Sequence, residues 1–522
     1  MAKKKASSAQ SGAGQAPGAA ATAEATLRRG EELIDTDPRA AVQCFEEVLQ
    51  ANPKNQSAWC NRGVAAAQLW EEAGSRDRGP LLQMACESFR QVFALDTSTR
   101  SEARYLSALA CGKLLLRAAG VLEETQTSGM AGSGAVSGEL IEALAEASRC
   151  FEEAFRLTQD WGHEAFDDEC WGAWGEVLAH QMKVEIAAVE LRLPRSDASL
   201  AEGVCCAALG ETLNLEGIAR LCEAAADKFG HATRAEVPEK DVMDAGDDAR
   251  WLTLHAEHLL AFVDFVKKAV SIPPTIELPL EALGSKAEAA WQEAVNLADA
   301  SLQLLGTDAG WEAFSLRGDV FAAATELLGA LSSRMANPQL RLPTREASAP
   351  ELSEAWESVG MPSYTAGQLI NAAGAATYAE AAYAEALGRG GQEAVATVNL
   401  SLGELRLGRA RRLPSEGMSM EVSSGGSCSE REACLRAASD AFQKVTASQG
   451  ADREDKASAW YNLACVAGLL GKAEHAAQAL QLCFKNVRPS SHVQHWAREA
   501  KEDKDFELVC SHPHVQQVLA GH

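Results

Sequence analysis

The sequence predicts an all-α fold, a superhelical solenoid of antiparallel helix pairs, and three observations carry that expectation. A short unit occurs near both ends of the chain. It reads Ala58-Trp59-Cys60-Asn61-Arg62-Gly63 after Asn52-Pro53, and Ala459-Trp460-Tyr461-Asn462-Leu463-Ala464 before Leu470-Gly471-Lys472-Ala473-Glu474. Each copy has an aromatic residue and a small residue four positions later, and an amphipathic helix follows. A small, a large apolar and a third compact residue also recur at i, i+4 and i+7, one face of a helix. Strand signals are weak, with no sustained alternation of Val, Ile, Thr and aromatic residues. A helix pair of this kind cannot bury its apolar face alone, so it implies a stacked array.

The elements follow in order. Leu27, Gly30, Leu33 and Ile34 mark a first helix, and Ala41, Phe45 and Val48 a second, which Asn52-Pro53 ends because proline cannot continue it. A second pair runs from Trp59 to Ala85, Phe89 and Val92, with a long connection expected around 71–80. A third runs from Tyr105, Ala108 and Leu109 to Ala147, Phe151 and Ala154, across a Gly/Ser-rich loop at 127–134. Between about 160 and 340 helices are expected near Trp171–Leu178, Leu213–Phe229, Trp251–Val270, Ala287–Leu305 and Trp311–Phe321, but the register fades. Pro338, Pro343, Pro350 and Pro362 make 335–363 the strongest expected boundary. Ala379, Tyr383 and Ala386, then Ala438, Phe442 and Val445, resume the pattern, and Ala476, Leu480 and Cys483 complete the last pair. The expected organisation is a disordered tail (1–22), an N-terminal array (23–160), a divergent helical region (161–334), a linker (335–363), a C-terminal array (364–495) and a capping helix (496–522).

Composition narrows the classes. As compact domains, 522 residues suggest about three or four, a count a solenoid escapes because each repeat packs only on its neighbours. Hydrophobic residues are 47% and aromatics 6%, so the apolar content is mostly Ala and Leu, which favours close helix packing. The net charge of −25 repels phosphate backbones, so direct nucleic-acid binding is not expected, and at most basic partner segments are favoured. Fourteen cysteines include no C-x-x-C; most sit beside Ala and Phe as small apolar residues, and their dispersal points to a reducing compartment. Cys205-Cys206 is read as helical packing rather than a redox pair. No apolar run reaches the roughly 18 to 20 residues that span a bilayer, so no membrane insertion is expected. The N-terminus holds Lys3–Lys5 and no acid before Glu24, and it lacks the apolar core of a secretory signal. The expected location is cytoplasmic, with a nuclear location as the alternative and organelle import left open.

These offsets resemble the tetratricopeptide repeat (TPR) superfamily, whose unit of roughly 34 residues carries this pattern. The match is good in 23–96 and 430–484, partial in 101–160 and 365–410, and poor between. The resemblance implies a non-enzymatic protein-interaction scaffold or adaptor with no cofactor, gripping a protein or peptide segment on its concave face. The generic groove positions are Cys60, Asn61, Val64, Tyr461, Asn462 and Cys465. One subclass of the family clamps the acidic C-termini of chaperones with Lys and Asn on a first helix, Asn on a second, and Lys and Arg on a third. Here Asn61 fits, but Leu27, Glu31, Glu102 and Leu106 stand where the other residues belong, so no such dicarboxylate clamp is expected.

Other constellations fail on their chemistry. Asp241 to Leu252 places Gly246 as a calcium loop would, but Met243, Ala245 and Leu252 replace oxygen ligands. His255/His258, His492/His495 and Cys510-His512-His514 lack a complete metal set and read as packing or surface histidines. No phosphate-binding glycine loop and no nucleophile elbow occurs. The tryptophans read as packing between helix pairs. The rival to a scaffold is a regulatory factor or enzyme subunit with a site in 161–334, where His163, Asp167, Asp168 and His180 would have to converge. A nuclear role linked to translation or transcription is the remaining alternative.

Overall fold

The computed structural model describes residues 17–96, 98, 101–129, 137–161, 168–190, 215–233, 245–270, 280–305, 309–332, 338–343, 367–413, 429–487 and 491–521. These residues form an all-α helical-repeat solenoid with one two-stranded ribbon. Two compact units are distinguished: Met1–Thr125, Val136–Val184 and Asp227–Ala235 in the first, and Gln126–Ala135, Glu185–Ala226 and Glu236–His522 in the second.

The first unit holds α1 (Pro17–Leu33), α2 (Pro38–Ala51), α3 (Gln56–Glu72), α4 (Ser75–Leu95), α5 (Glu102–Gly129), α6 (Gly138–Trp161), most of α7 (Asp168–Glu190) and the end of α8 (Leu215–Thr233). The second holds α9 (Ala245–Val270), α10 (Leu280–Leu305), α11 (Trp311–Leu331), β1 (Leu340–Arg341), β2 (Leu369–Ile370), α12 (Ala372–Arg389), α13 (Gln392–Arg412), α14 (Glu430–Ala447), α15 (Arg453–Leu469) and α16 (Ala473–Asn486). It closes with α17 (Ser491–Glu502), a 3-10 turn (Lys504–Phe506) and α18 (Pro513–Ala520). Helices start where side chains satisfy their orphan N–H groups. Asp37 accepts from Ala40 N ahead of Pro38, Asn55 from Ala58 N, and Asp452 from Asp455 N at 2.7 Å. Gly471 (φ +66°) ends α15, with its own N–H on Gly468 O and the Lys472 N–H on Ala467 O. This left-handed glycine turn permits the tight return into α16.

Packing follows one rule in six of the helix pairs. Odd-numbered helices present a small residue to a large side chain on the next even-numbered helix. A Cβ on Gly63 would stand 2.6 Å from the Phe89 ring, one on Gly112 2.9 Å from Phe151, and one on Gly403 2.5 Å from Phe442. The even-numbered helices bury their triads almost completely: Ala41/Phe45/Val48, Ala85/Phe89/Val92, Ala147/Phe151/Ala154, Ala379/Tyr383/Ala386, Ala438/Phe442/Val445 and Ala476/Leu480/Cys483.

The region expected to diverge follows the rule at α7 and α8, and α10 carries a buried triad of the same spacing. In the first unit Gly175 on α7 meets Phe229 of the triad Ala225/Phe229/Ala232 on α8. In the second, α10 carries Ala287/Trp291/Ala294, all fully buried, with the Trp291 indole N–H donating to Val320 O at 2.9 Å. Trp291 is therefore a mid-helix core residue.

Further expectations are corrected. The 335–363 segment does not separate domains. It connects α11 to α12, which pack as one pair with Gly318 against Tyr383. The far side of that connection returns as the antiparallel β1–β2 ribbon, held to α10 by Glu288 and Gln292. The long connection expected at 71–80 is short, because α4 already begins at Ser75. Helix α1 begins at Pro17, so 17–22 are helical. A stretch of α5, Glu102–Leu122, is long and apolar enough by composition to cross a membrane, unlike the run-length expectation. About half of that window is buried against protein.

Candidate functional site

The odd-numbered helices carry all six groove residues, and the structure divides them into two kinds. Asn61 on α3 is half-buried and donates from Nδ2 to Glu31 Oε1 on α1 at 3.2 Å. Asn462 on α15 donates to Glu404 Oε1 on α13, also at 3.2 Å. These are the same bond in two units. In each case an amide two residues past the helix aromatic reaches an acid that directly follows the glycine of the preceding odd helix. The second unit adds a third example: Asp319 follows Gly318 on α11 and is hydrogen-bonded by Ser401 on α13 and by the Tyr383 hydroxyl at 2.6 Å. The result is a row of carboxylates and amides along the odd-helix face.

The electrostatics of the row are distinctive. Burial pushes the Asp319 carboxyl up to about 6; its hydrogen bonds from Tyr383 and Ser401 oppose the rise and Glu257 adds to it. Glu404 is also raised, first by its low-dielectric surroundings, while the Asn462 bond opposes and the Glu326 and Asp319 charges reinforce. Glu404 is nonetheless accessible to solvent. Glu404 is thus an exposed acid whose charge is disfavoured by the protein around it. Val64 is half-buried beside Asn61. Cys60 is buried, and burial raises its thiol pKa, so it packs rather than reacts.

Tyr461 and Cys465 have a different role. The chain's own tail occupies them. The Tyr461 hydroxyl donates to Asp503 Oδ2 at 3.0 Å, and its ring packs edge-on against Trp496 and Phe506. The Cys465 thiol is fully buried at 3.6 Å from the same carboxylate oxygen, and burial holds its pKa well above the ordinary value. Arg411, from α13, forks onto Asp505 with N–O distances of 2.6 and 3.0 Å. Burial works against that charge, yet the Asp505 bonds hold the guanidinium above its usual pKa. Gly468 leaves room for the Asp505 backbone carbonyl, which any side chain there would strike. Cys465, Asp503 and Asp505 bring three metal-capable atoms together. Arg411 and Tyr461 already engage the carboxylates, so the arrangement works as a tail clasp.

The remaining sequence candidates resolve simply. His163 and Asp167 lie outside the described residues, as do Asp241 to Asp244, Cys205 and Cys206. Residues 245–252 are helical, which removes the turn a calcium loop needs. His255 and His258 are core residues, the latter 3.3 Å from Cys222 O. His512 and His514 lie at the start of α18, where His512 accepts from the His514 N–H. The acids of the odd-helix face were missed, although the signal was present as Gly30-Glu31, Gly175-Glu176, Gly318-Asp319 and Gly403-Glu404.

No family model matches the chain, and no curated protein matches it in sequence. Among solved structures it is similar to a circular tandem repeat protein described as having a novel repeat topology and enhanced subunit contact surfaces. That match has 12% identity and a TM-score of 0.28, and covers 96% of this chain and 89% of that one.

Proposed function

We propose that this chain is a TPR-like, non-enzymatic interaction scaffold whose odd-helix face grips a positively charged segment of a protein partner. The observation that carries this reading is the repeated acid–amide bond, Asn61 to Glu31 and Asn462 to Glu404, on the faces that core packing leaves accessible. The buried triads fix each helix, so these polar groups are presented by a rigid support. Glu404, exposed but partly desolvated by its neighbours, interacts more strongly with a partner's cation than a fully solvated carboxylate does, because less water screens it. The global charge of −25 would speed the approach of a basic segment at low ionic strength.

Proximity capture in cells, with wild type and a Glu31→Gln/Glu404→Gln double variant compared, tests the reading. Both sites are exposed, so the fold should survive, and circular dichroism checks that it does. Partners lost from the variant should be enriched in basic segments, and a synthetic copy of such a segment should bind wild type with a steep salt dependence. An identical partner set for the two proteins would overturn it.

A further inference from the structure

In the second unit, the ends of α11 and α13 and the starts of α12 and α14 border a half-open pocket of about 480 Å³, with Arg412 exposed at its margin. Its charged lining is Arg409, Arg412 and the carboxylate Glu430, with Thr325 and Ser332 as hydroxyls, so one positive charge is left in excess. Three arginines end α13, and two of them have acids of their own. Arg409 pairs with Glu430 at 2.7 Å, and Arg411 with Asp505. Arg412 has no carboxylate within ion-pair distance among the described residues. Its stem lies across Gly329, where a Cβ would come within 2.6 Å of the Arg412 Cδ, so the missing side chain lets the guanidinium reach the cavity wall. Ala372 and Ala373, the first residues of α12, also line the space. The Asn371 side chain takes the Gly374 N–H and its carbonyl the Ala375 N–H, so of the first turn only the Ala372 and Ala373 N–H groups, on residues that line the space, are left uncapped.

We infer that this cavity is a binding site for a phosphate monoester, with Arg412 as its principal anchor and Arg409 and the first turn of α12 as supports. A guanidinium fork matches phosphate oxygens two at a time, and a dianion gains from every positive group in the lining. The volume falls within the range of small-ligand sites and exceeds what one carboxylate would fill. The donor could be a free phosphorylated small molecule or a phosphorylated side chain, and the chemistry at Arg412 is the same for both. This inference does not depend on the scaffold reading, which concerns cationic segments on another face.

Calorimetric titration of the full chain with three probes tests it: O-phosphoserine, a short phosphoserine peptide and the same peptide without phosphate. Wild type should bind a phosphorylated probe. Arg412→Gln should weaken that binding by about tenfold or more, the weight of one hydrogen bond to a charged group. Gly329→Ala should also weaken it without changing any charge, because the new Cβ displaces the Arg412 stem. Arg436→Gln, an exposed arginine paired with Glu432 on α14, should change nothing. Equal binding of O-phosphoserine and the phosphopeptide would identify a small-molecule source, and binding of the phosphopeptide alone a modified partner. The inference is overturned if neither phosphorylated probe binds, if Arg412→Gln and Gly329→Ala bind as wild type does, or if the unphosphorylated peptide binds equally well.

Discussion

The C-terminal tail should be an integral cap whose loss exposes the last repeat, and Phe506 is the position to perturb. Its side chain is 1% exposed and lies against Tyr461 and the Gly468 turn of α15. Phe506→Ala removes a buried aromatic ring and leaves a void between α15 and the tail, a change that costs about 3–5 kcal/mol in packed cores. Leu508→Ala, two residues on, removes a side chain that is 71% exposed and should stay within about 0.5 kcal/mol of wild type. Asp505→Asn keeps the shape but breaks the charge-assisted fork to Arg411. Because Arg411 is partly open to water, the expected cost is smaller, about 1–3 kcal/mol. Deleting residues 503–522 should exceed all three, since Val509, Val515 and Leu519 are also buried. Deleting residues 1–16 should do much less, because Met1 is their only large apolar side chain. Urea denaturation followed by tryptophan fluorescence and circular dichroism gives the comparison. Equal midpoints for Phe506→Ala and Leu508→Ala would refute the cap, as would a truncated chain as stable and soluble as wild type.

Four further outcomes are expected. Phe229→Ala and Trp291→Ala should each cost about 3–5 kcal/mol in denaturation, as much as Phe442→Ala, and markedly smaller values would mean that the middle region does not share the repeat packing. Gly318→Ala should destabilise by about 1–3 kcal/mol, because the new methyl strikes the Tyr383 ring, whereas Gly388→Ala on open α12 surface should stabilise slightly; thermal midpoints that move together would contradict this. Asp319 titrates near 6 in the fold against an ordinary 3.8, so its contribution to stability is complete below about pH 4 and is lost as pH rises through 6, a swing of about 3 kcal/mol. Asp319→Asn should flatten that part of the pH–stability curve, and an unchanged curve would show that the acid is not buried as described. A peptide ending in the acidic chaperone motif should bind weakly or not at all, since Glu31 already holds Asn61; micromolar binding lost in Asn61→Ala would overturn that expectation.

The helical architecture was legible because the triads are local. Ala41/Phe45/Val48 lies within one helix, so periodicity reveals it without knowledge of the partner. The triads Ala225/Phe229/Ala232 and Ala287/Trp291/Ala294 were equally local, but they went unread because the spacing to their partner helices was irregular. An acid follows Gly30, Gly175, Gly318 and Gly403, though Val64 and Lys113 follow Gly63 and Gly112; the dipeptide is visible in sequence, and its meaning requires the neighbouring helix that supplies Asn61, Ser401 or Asn462. The tail clasp was not legible. Arg411 and Asp505 are 94 residues apart, and a charged residue in a polar stretch gives no sign that it will be buried.

The placement of the long connections explains why the middle reads as divergent. The intervals 130–137, 191–214, 271–279, 332–371 and 413–429 fall inside a pair, between an odd helix and the even helix that follows it, whereas 234–244 falls between two pairs. Links between successive pairs are mostly brief, as in 52–55, 306–310, 390–391 and 448–452. The contact of a small residue with a buried ring holds the two helices of a pair whatever joins them. Lengthening that joint costs only about 0.6 kcal/mol for each doubling of the loop. A link between pairs has less freedom, because it sets the stacking of one triad on the next. The repeat is therefore regular in space and irregular in sequence. A fixed period fails on it, while the contact of a small residue with a ring recurs in six pairs, from Gly30 and Phe45 to Gly403 and Phe442.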